Sequence, residues 1–306
     1  MWTWISPSCL WQTHRFETPE QDLIFSYPED TLRFDTLLTG KASITKRFRV
    51  KNPNPGAVLL RKLGLEKESE SPFFIYVDGE QAKVFERKSI LGRDSMLVLI
   101  NVFLDGRSKI PFPYKLTERF FLEIEKGKRY ILPLSVWGQD VRREEDLIIS
   151  DEEIWVQEEL PVWIGRRLLV ESAGVLQIKE GVRIFFQQES YIEVQGRLLV
   201  EGTSKNPVSF RSDRLDEKHK DTPGQWKGIR LLSAKPHHMR FVHIENAETG
   251  IQVGEEGGEE QVELSLSQVQ IRNMRETGIL SYGAQIEGKN MLVYNCGSYL
   301  LQHLNG

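Results

Sequence analysis

Alternating short strands, followed by a motif that returns after some thirty residues, predict an all-β chain: an N-terminal immunoglobulin-like β-sandwich and then a right-handed parallel β-helix. Three observations carry that expectation. Apolar and polar residues alternate with period two in runs such as LRFDTLL, SMLVLINVFL and RFFLEIEKG, as strands with one buried face require. Clusters of Gly, Pro, Asn and Asp separate those runs. Arg167-Leu168-Leu169-Val170-Glu171 returns as Arg197-Leu198-Leu199-Val200-Glu201, and Glu248-Thr249-Gly250-Ile251 as Glu276-Thr277-Gly278-Ile279, spacings that mark a solenoid.

In chain order, residues 1–20 open with MWTWISPSCLWQT, which is uncharged and rich in Trp. This stretch lacks the basic start and apolar core of an export signal. Ser6-Pro7-Ser8-Cys9 nevertheless has the form of the tail of a lipoprotein signal, with Cys9 as the lipidated residue; the alternative is an ordinary flexible N-terminus. Residues 21–142 are expected to form the sandwich. Asn52-Pro53-Asn54-Pro55-Gly56, Asp78-Gly79, Asp105-Gly106 and Lys126-Gly127 supply its turns, because Pro fixes φ while Gly, Asn and Asp tolerate positive φ. Strands at this spacing fit an immunoglobulin-like architecture, although the cysteine pair and core tryptophan of antibody domains are absent. The charged stretch RREEDLIISDEEIWVQEEL marks the passage into the second domain, 143–306.

Within that domain FVHIENAETGIQV, VQIRNMRETGILS and MLVYNCGSYLLQ each place a strand, an asparagine and a further short strand. Asn246, Asn273 and Asn295 are therefore expected to stack as a ladder. Each coil would bury Val, Ile and Leu against the coil below, while at the corner one Asn amide hydrogen-bonds to the next. A leucine-rich repeat is the other solenoid to consider, but neither its LxxLxLxxN signature nor a helical period is present. The chain stops at Gly306 without a capping element, which predicts an incomplete β-helix.

From about Phe25 onward the chain resembles the Bacteroidota envelope proteins that join an N-terminal immunoglobulin-like domain to a right-handed β-helix. The segments that carry the resemblance are DTLRFDTLLTGKASITKRFRVKN, SVWGQD, EGTSKNPVSFRSDRLD, PGQWKGIRLL and NCGSYLL. None of them is a catalytic motif. The resemblance implies a secreted lipoprotein at the cell surface, in the outer membrane or periplasm, with a longer β-helix and no defined activity.

Composition narrows the partners. The 40 Lys and Arg are interspersed with 44 Asp and Glu, for a net charge of −4, and no basic stripe of the kind nucleic acids need is present. The longest apolar run, Met96 to Leu104, is less than half of the roughly 20 residues that cross a bilayer. Cys9 and Cys296 fall in different predicted domains, outside any metal-ligand or disulfide spacing.

The sequence contains no phosphate-binding glycine loop, GxSxG elbow, HExxH helix or EF-hand loop. Its richest polar stretch is the loop SDRLDEKHKDTPGQ, where Asp213, Asp216 and Asp221 offer carboxylates that a calcium ion would accept. A solvated loop is the plainer reading. Trp226 follows directly and is expected either to stack on a sugar ring or to close the loop against the coil. Were the chain a polysaccharide lyase or glycosidase, Asp213, Arg211, Arg230 and Glu245 would have to converge from neighbouring coils. His237 and His238 are expected at a turn and His243 within a strand, whose alternation points His238 and His243 to opposite faces, which argues against a histidine metal site. Three functions follow: a non-enzymatic envelope protein binding a glycan or another surface component through the β-helix; a carbohydrate-active enzyme on an acidic polysaccharide; or a structural stalk.

Overall fold

The computed structural model describes residues 19, 22–27, 29–106, 109–110, 112–125, 127–157, 159–258 and 261–304. Cys9 lies outside them. Almost every element is a strand, and among the described residues no helix is long and apolar enough to cross a membrane. The chain divides into two compact units. One takes the chain up to Phe34 together with Gly40–Leu104 and Lys115–Val136, and the other takes Asp35–Thr39, Asp105–Tyr114 and everything from Trp137 onward.

The first unit is built on two five-stranded sheets, of whose strands residues 35–38, 114 and 137–139 count with the second unit. Its strands are β1 (Ile24–Phe25), β2 (Leu32–Leu38), β3 (Lys46–Lys51), β4 (Val58–Leu65), β5 (Phe73–Val77), β6 (Glu80–Ala82), β7 (Val84–Ile90), β8 (Ser95–Val102), β9 (Tyr114–Ile124) and β10 (Arg129–Gln139). The sheets run β1-β3-β8-β5-β6 and β2-β10-β9-β4-β7. Strand alternation puts Phe48, Val50, Ile75, Val98 and Ile100 on the buried side of one sheet and Leu60, Leu63, Phe120 and Leu122 on that of the other. Phe34 meets Phe73 edge-on at 5.5 Å, and Phe48 meets Phe120 at 5.4 Å, so the sheets pack as a sandwich. Asp78 and Gly79, at φ 53° and 82°, form the two-residue loop between β5 and β6 that this dipeptide favours. In the Asn-Pro-Asn-Pro-Gly turn, the buried Asn52 amide donates to the carbonyls of Gly56, Ile90 and Leu91.

From Arg142 the second unit is a parallel β-solenoid of about seven coils. Its strands fall on three faces. Face 1 stacks 142–144, 162–164, Arg183–Phe186, Val208–Ser212, 242–245, 269–272 and Leu292–Cys296. Face 2 stacks 146–149, 167–170, Tyr191–Val194, Gly228–Leu231, Ile251–Val253, Thr277–Tyr282 and Tyr299–Leu304. Face 3 stacks Glu152–Trp155, Val175–Lys179, Arg197–Glu201, 237–240, 263–267 and Gln285–Lys289.

Because the pairing is in register, each inward position repeats as a column. Val162, Ile184, Phe210, Ile244 and Ile271 form one, and Leu168, Ile192, Ile229, Ile251 and Ile279 another. All ten are buried. Full burial of such a side chain contributes about 1.5–3 kcal/mol, and truncating one, as in Ile244→Ala, costs about 2–5 kcal/mol through the cavity it leaves.

The corner from face 1 to face 2 is turned in the last three coils by single asparagines. Asn246, Asn273 and Asn295 have φ of 65°, 60° and 54°, the left-handed region that Asn tolerates best after Gly. The Asn273 amide donates to Asn246 Oδ1 at 3.2 Å and the Asn295 amide to Asn273 Oδ1 at 2.6 Å. A repeated residue type thus becomes a chain of amides along the stack.

Candidate functional site

One coil earlier the same corner is handled differently. Between Ser212 and Gly228 the chain inserts residues 213–227, the polar loop picked out in the sequence. The loop is tied down at each carboxylate. Asp213 Oδ2 accepts from Trp163 Nε1 at 2.8 Å. Asp216 lies 2.6 Å from His219 Nδ1 and pairs with Arg214; burial raises its carboxyl, but the contacts with His219 and Arg214 together hold it below its ordinary value. Asp221 Oδ1 accepts from Arg272 at 3.1 Å and from the Asn273 amide at 3.4 Å. The Lys220 carbonyl accepts from the Asn246 amide at 2.6 Å, so the loop closes the end of the asparagine ladder.

Two expectations need correction here. Asp213, Asp216 and Asp221 turn to three separate partners rather than to a common centre, and among the described residues no three His, Cys, Asp or Glu side chains gather as a metal site. Trp226 is only 1% exposed. It lies flat on Phe186 of the preceding coil, with centroids 4.0 Å apart and planes 7° from parallel, and donates through Nε1 to the Glu245 carbonyl at 2.8 Å. A ring buried in this way has no face left for a sugar.

The expected catalytic quartet also separates. In-register stacking on face 1 aligns outward-pointing Arg143, Trp163, Phe185, Arg211, Glu245 and Arg272. Trp163 and Phe185 are covered by Leu38, Val141 and Leu215. Arg272 donates to Glu245 Oε1 at 3.1 Å, and Arg211 lies 3.8 Å from Oε2. Glu245, with its side chain only 10% exposed, is thus held between two guanidinium groups. Arg230 is elsewhere, on face 2, where it donates to Glu193 at 3.0 Å. Three of the four residues are fastened to a structural network, and the fourth belongs to another surface.

Face 2 carries a cleft of about 440 Å³. Tyr191, Arg230 and Gln252 reach it from three successive coils, with Lys227, Glu248 and Glu276 beside them. The coil next to Tyr191 has Gly228 in register with it. Gly228 is at φ 115°, and a Cβ there would fall 1.7 Å from the Thr249 carbonyl oxygen. Close coil packing therefore demands glycine there. Lys227 bonds Glu189 at 2.9 Å and Glu248 at 2.6 Å, while Arg275 also pairs with Glu248. Glu276 keeps a largely exposed carboxylate.

Only Arg230 of this group stood out in the sequence. The available signal for two others was the repeated Glu-Thr-Gly-Ile, since a repeat in a solenoid places Glu248 and Glu276 one above the other. Tyr191 and Gln252 carry no local mark, because only register brings them together.

No protein-family model matches the sequence, and no curated protein matches it. Among solved structures the chain is similar to a family 123 glycoside hydrolase from Clostridium perfringens, described for glycolipid glycan hydrolysis, at 9% identity and a TM-score of 0.27. That likeness covers 40% of this chain and 26% of the other, so the chain spans about a quarter of the hydrolase. It is also similar to the ASH/PapD-like domain 7 of human CEP192, at 17% identity and a TM-score of 0.26 over 46% of this chain and 100% of that domain. Neither likeness bears on function.

Proposed function

We propose that the solenoid binds a glycan, without cleaving it, along the face 2 cleft. The supporting observation is the placement of Tyr191, Arg230 and Gln252 on three consecutive coils around one opening. Coils repeat every 4.7–4.9 Å, so an extended polymer meets a new side chain at each step. A sugar ring offers an apolar face to the tyrosine and hydroxyls to the arginine, amide and carboxylates. Binding is favoured over cleavage because Glu248 is clamped by Lys227 and Arg275, whereas a general acid must be able to carry and release a proton. The expected cell-envelope location, with Cys9 lipidated, belongs to the same proposal and rests on the sequence resemblance.

Affinity electrophoresis of the full chain against neutral and acidic polysaccharides tests this reading. Retardation without polymer breakdown is expected, weakened about tenfold in Tyr191→Ala, the equivalent of losing about 1.4 kcal/mol of ring contact. Breakdown of any polymer would put the enzyme first and direct attention to Glu276. If no polymer retards the chain, the glycan reading fails and a stalk or protein-binding role takes its place.

A further inference from the structure

Face 3 carries a second row of aligned side chains. Lys179 stands in register with Glu201, Glu201 with Arg240, Arg240 with Ser267, and Ser267 with Lys289. Lys179 donates to Glu201 at 2.6 Å, and this hydrogen bond, opposed by partial burial and reinforced by His238 and Arg240, keeps the Glu201 carboxyl below its ordinary value. The one anion of the row is thereby neutralised within it. Arg240 and His238, two residues apart on one strand, present on the same side. Neither side chain makes a hydrogen bond or salt bridge among the described residues; the Arg240 guanidinium lies over the Phe241 ring at 5.2 Å. Both line a cleft of about 550 Å³ together with Lys179, Glu201, Gln157, Thr203 and the exposed Glu180, a second carboxylate that the ligand's charge must keep clear of.

We propose that this cleft is an oxyanion site, in which Arg240 and His238 receive a carboxylate, sulfate or phosphate group while Lys179 cancels the repulsion from Glu201. The planar fork of Arg240 suits two-point contact with such a group. The site is on a different face from the Tyr191 cleft and is independent of the glycan reading. Its ligand is either a free anion or an acidic polymer, and the row distinguishes them. Lys289 stands two strand spacings from Arg240, about 9–10 Å away, so a chain with repeated acidic groups reaches both, while a single phosphate reaches only Arg240.

Calorimetric titration of the full-length Tyr191→Ala chain, in which the face 2 cleft is disabled, tests the site with inorganic phosphate and with an oligogalacturonide. Saturable binding of at least one of these is expected, weakened about tenfold by Arg240→Gln through loss of one charge-assisted contact. Arg240 is exposed, so its variant should fold as the parent does. Phosphate binding indifferent to Lys289→Gln assigns a single-anion site; oligogalacturonide binding weakened by both substitutions assigns an acidic polymer. The proposal is overturned if neither anion binds, or if Arg240→Gln leaves both affinities unchanged.

Discussion

Face 1 and face 2 of the solenoid share coils, strand spacing and a similar supply of charged residues, yet they use them differently. On face 1 the Arg211, Glu245, Arg272 and Asp221 side chains bind one another across coils and loop, and the loop delivers Trp226 into the core. On face 2, Tyr191, Arg230 and Gln252 border open space. A polar cluster in a solenoid is therefore no guide to a ligand site until its hydrogen-bond partners are counted. Where those partners also bury the cluster, as with Glu245 at 10% side-chain exposure, it is architecture; Arg230 is paired with Glu193 yet stays 39% exposed.

The comparison can be broken most forcefully at Trp226. If it is a core residue, Trp226→Ala costs about 3–5 kcal/mol in denaturant unfolding; a variant as stable as the parent would return Trp226 to the surface and undo the contrast.

His237 extends the comparison to face 3, where it points inward between Leu198 and Leu264 while His238 points out. Burial pushes the His237 imidazole down to about 4, against the backbone hydrogen bond to Ser233 and with Arg197 as a lesser cause in the same direction. The Leu198 N–H donates to Nδ1 at 3.2 Å, leaving Nε2 to carry the proton toward the Ser233 carbonyl. Between pH 6.5 and about 4 the unfolded chain therefore binds a proton that the folded chain does not. Stability from this group is complete above pH 6.5 and is lost as pH falls toward 4, by about 3 kcal/mol in all. Unfolding curves across that range should show the slope, and His237→Leu should flatten it; an unchanged slope would place the titrating group elsewhere.

Glu245→Gln tests face 1 directly. It removes the carboxylate that Arg211 and Arg272 share, leaving Arg272 only Asp221, and we expect about 2 kcal/mol of destabilisation with no change in polysaccharide retardation. Loss of retardation at unaltered stability would move the binding site to face 1. Tyr191→Ala is the mirror image, expected to change stability by less than about 0.5 kcal/mol while weakening retardation. A large stability loss there would make the tyrosine a packing residue and remove the distinction between the faces.

Several features were legible in the residues because their causes are local. Asp78-Gly79 turns as its positive φ preference requires, and Asn246, Asn273 and Asn295 recur at a corner where left-handed φ and a spare amide are both useful. The candidate site was not legible in this way. Arg211 and Arg230 look equivalent in the sequence, each set in a short strand beside a loop.

The sequence by itself determined an all-β chain, a sandwich ahead of a solenoid and the residues of the asparagine ladder, since alternation, turn chemistry and exact repetition act over a few residues or between equivalent positions. Only the tertiary structure decided that Arg211 and Arg230 face different ways, that Trp226 is inside and that Tyr191, Arg230 and Gln252 share an opening. These outcomes depend on contacts between coils, such as Trp226 on Phe186. Such contacts are set by strand register and by the path of an inserted loop, and neither is specified by any single stretch of chain.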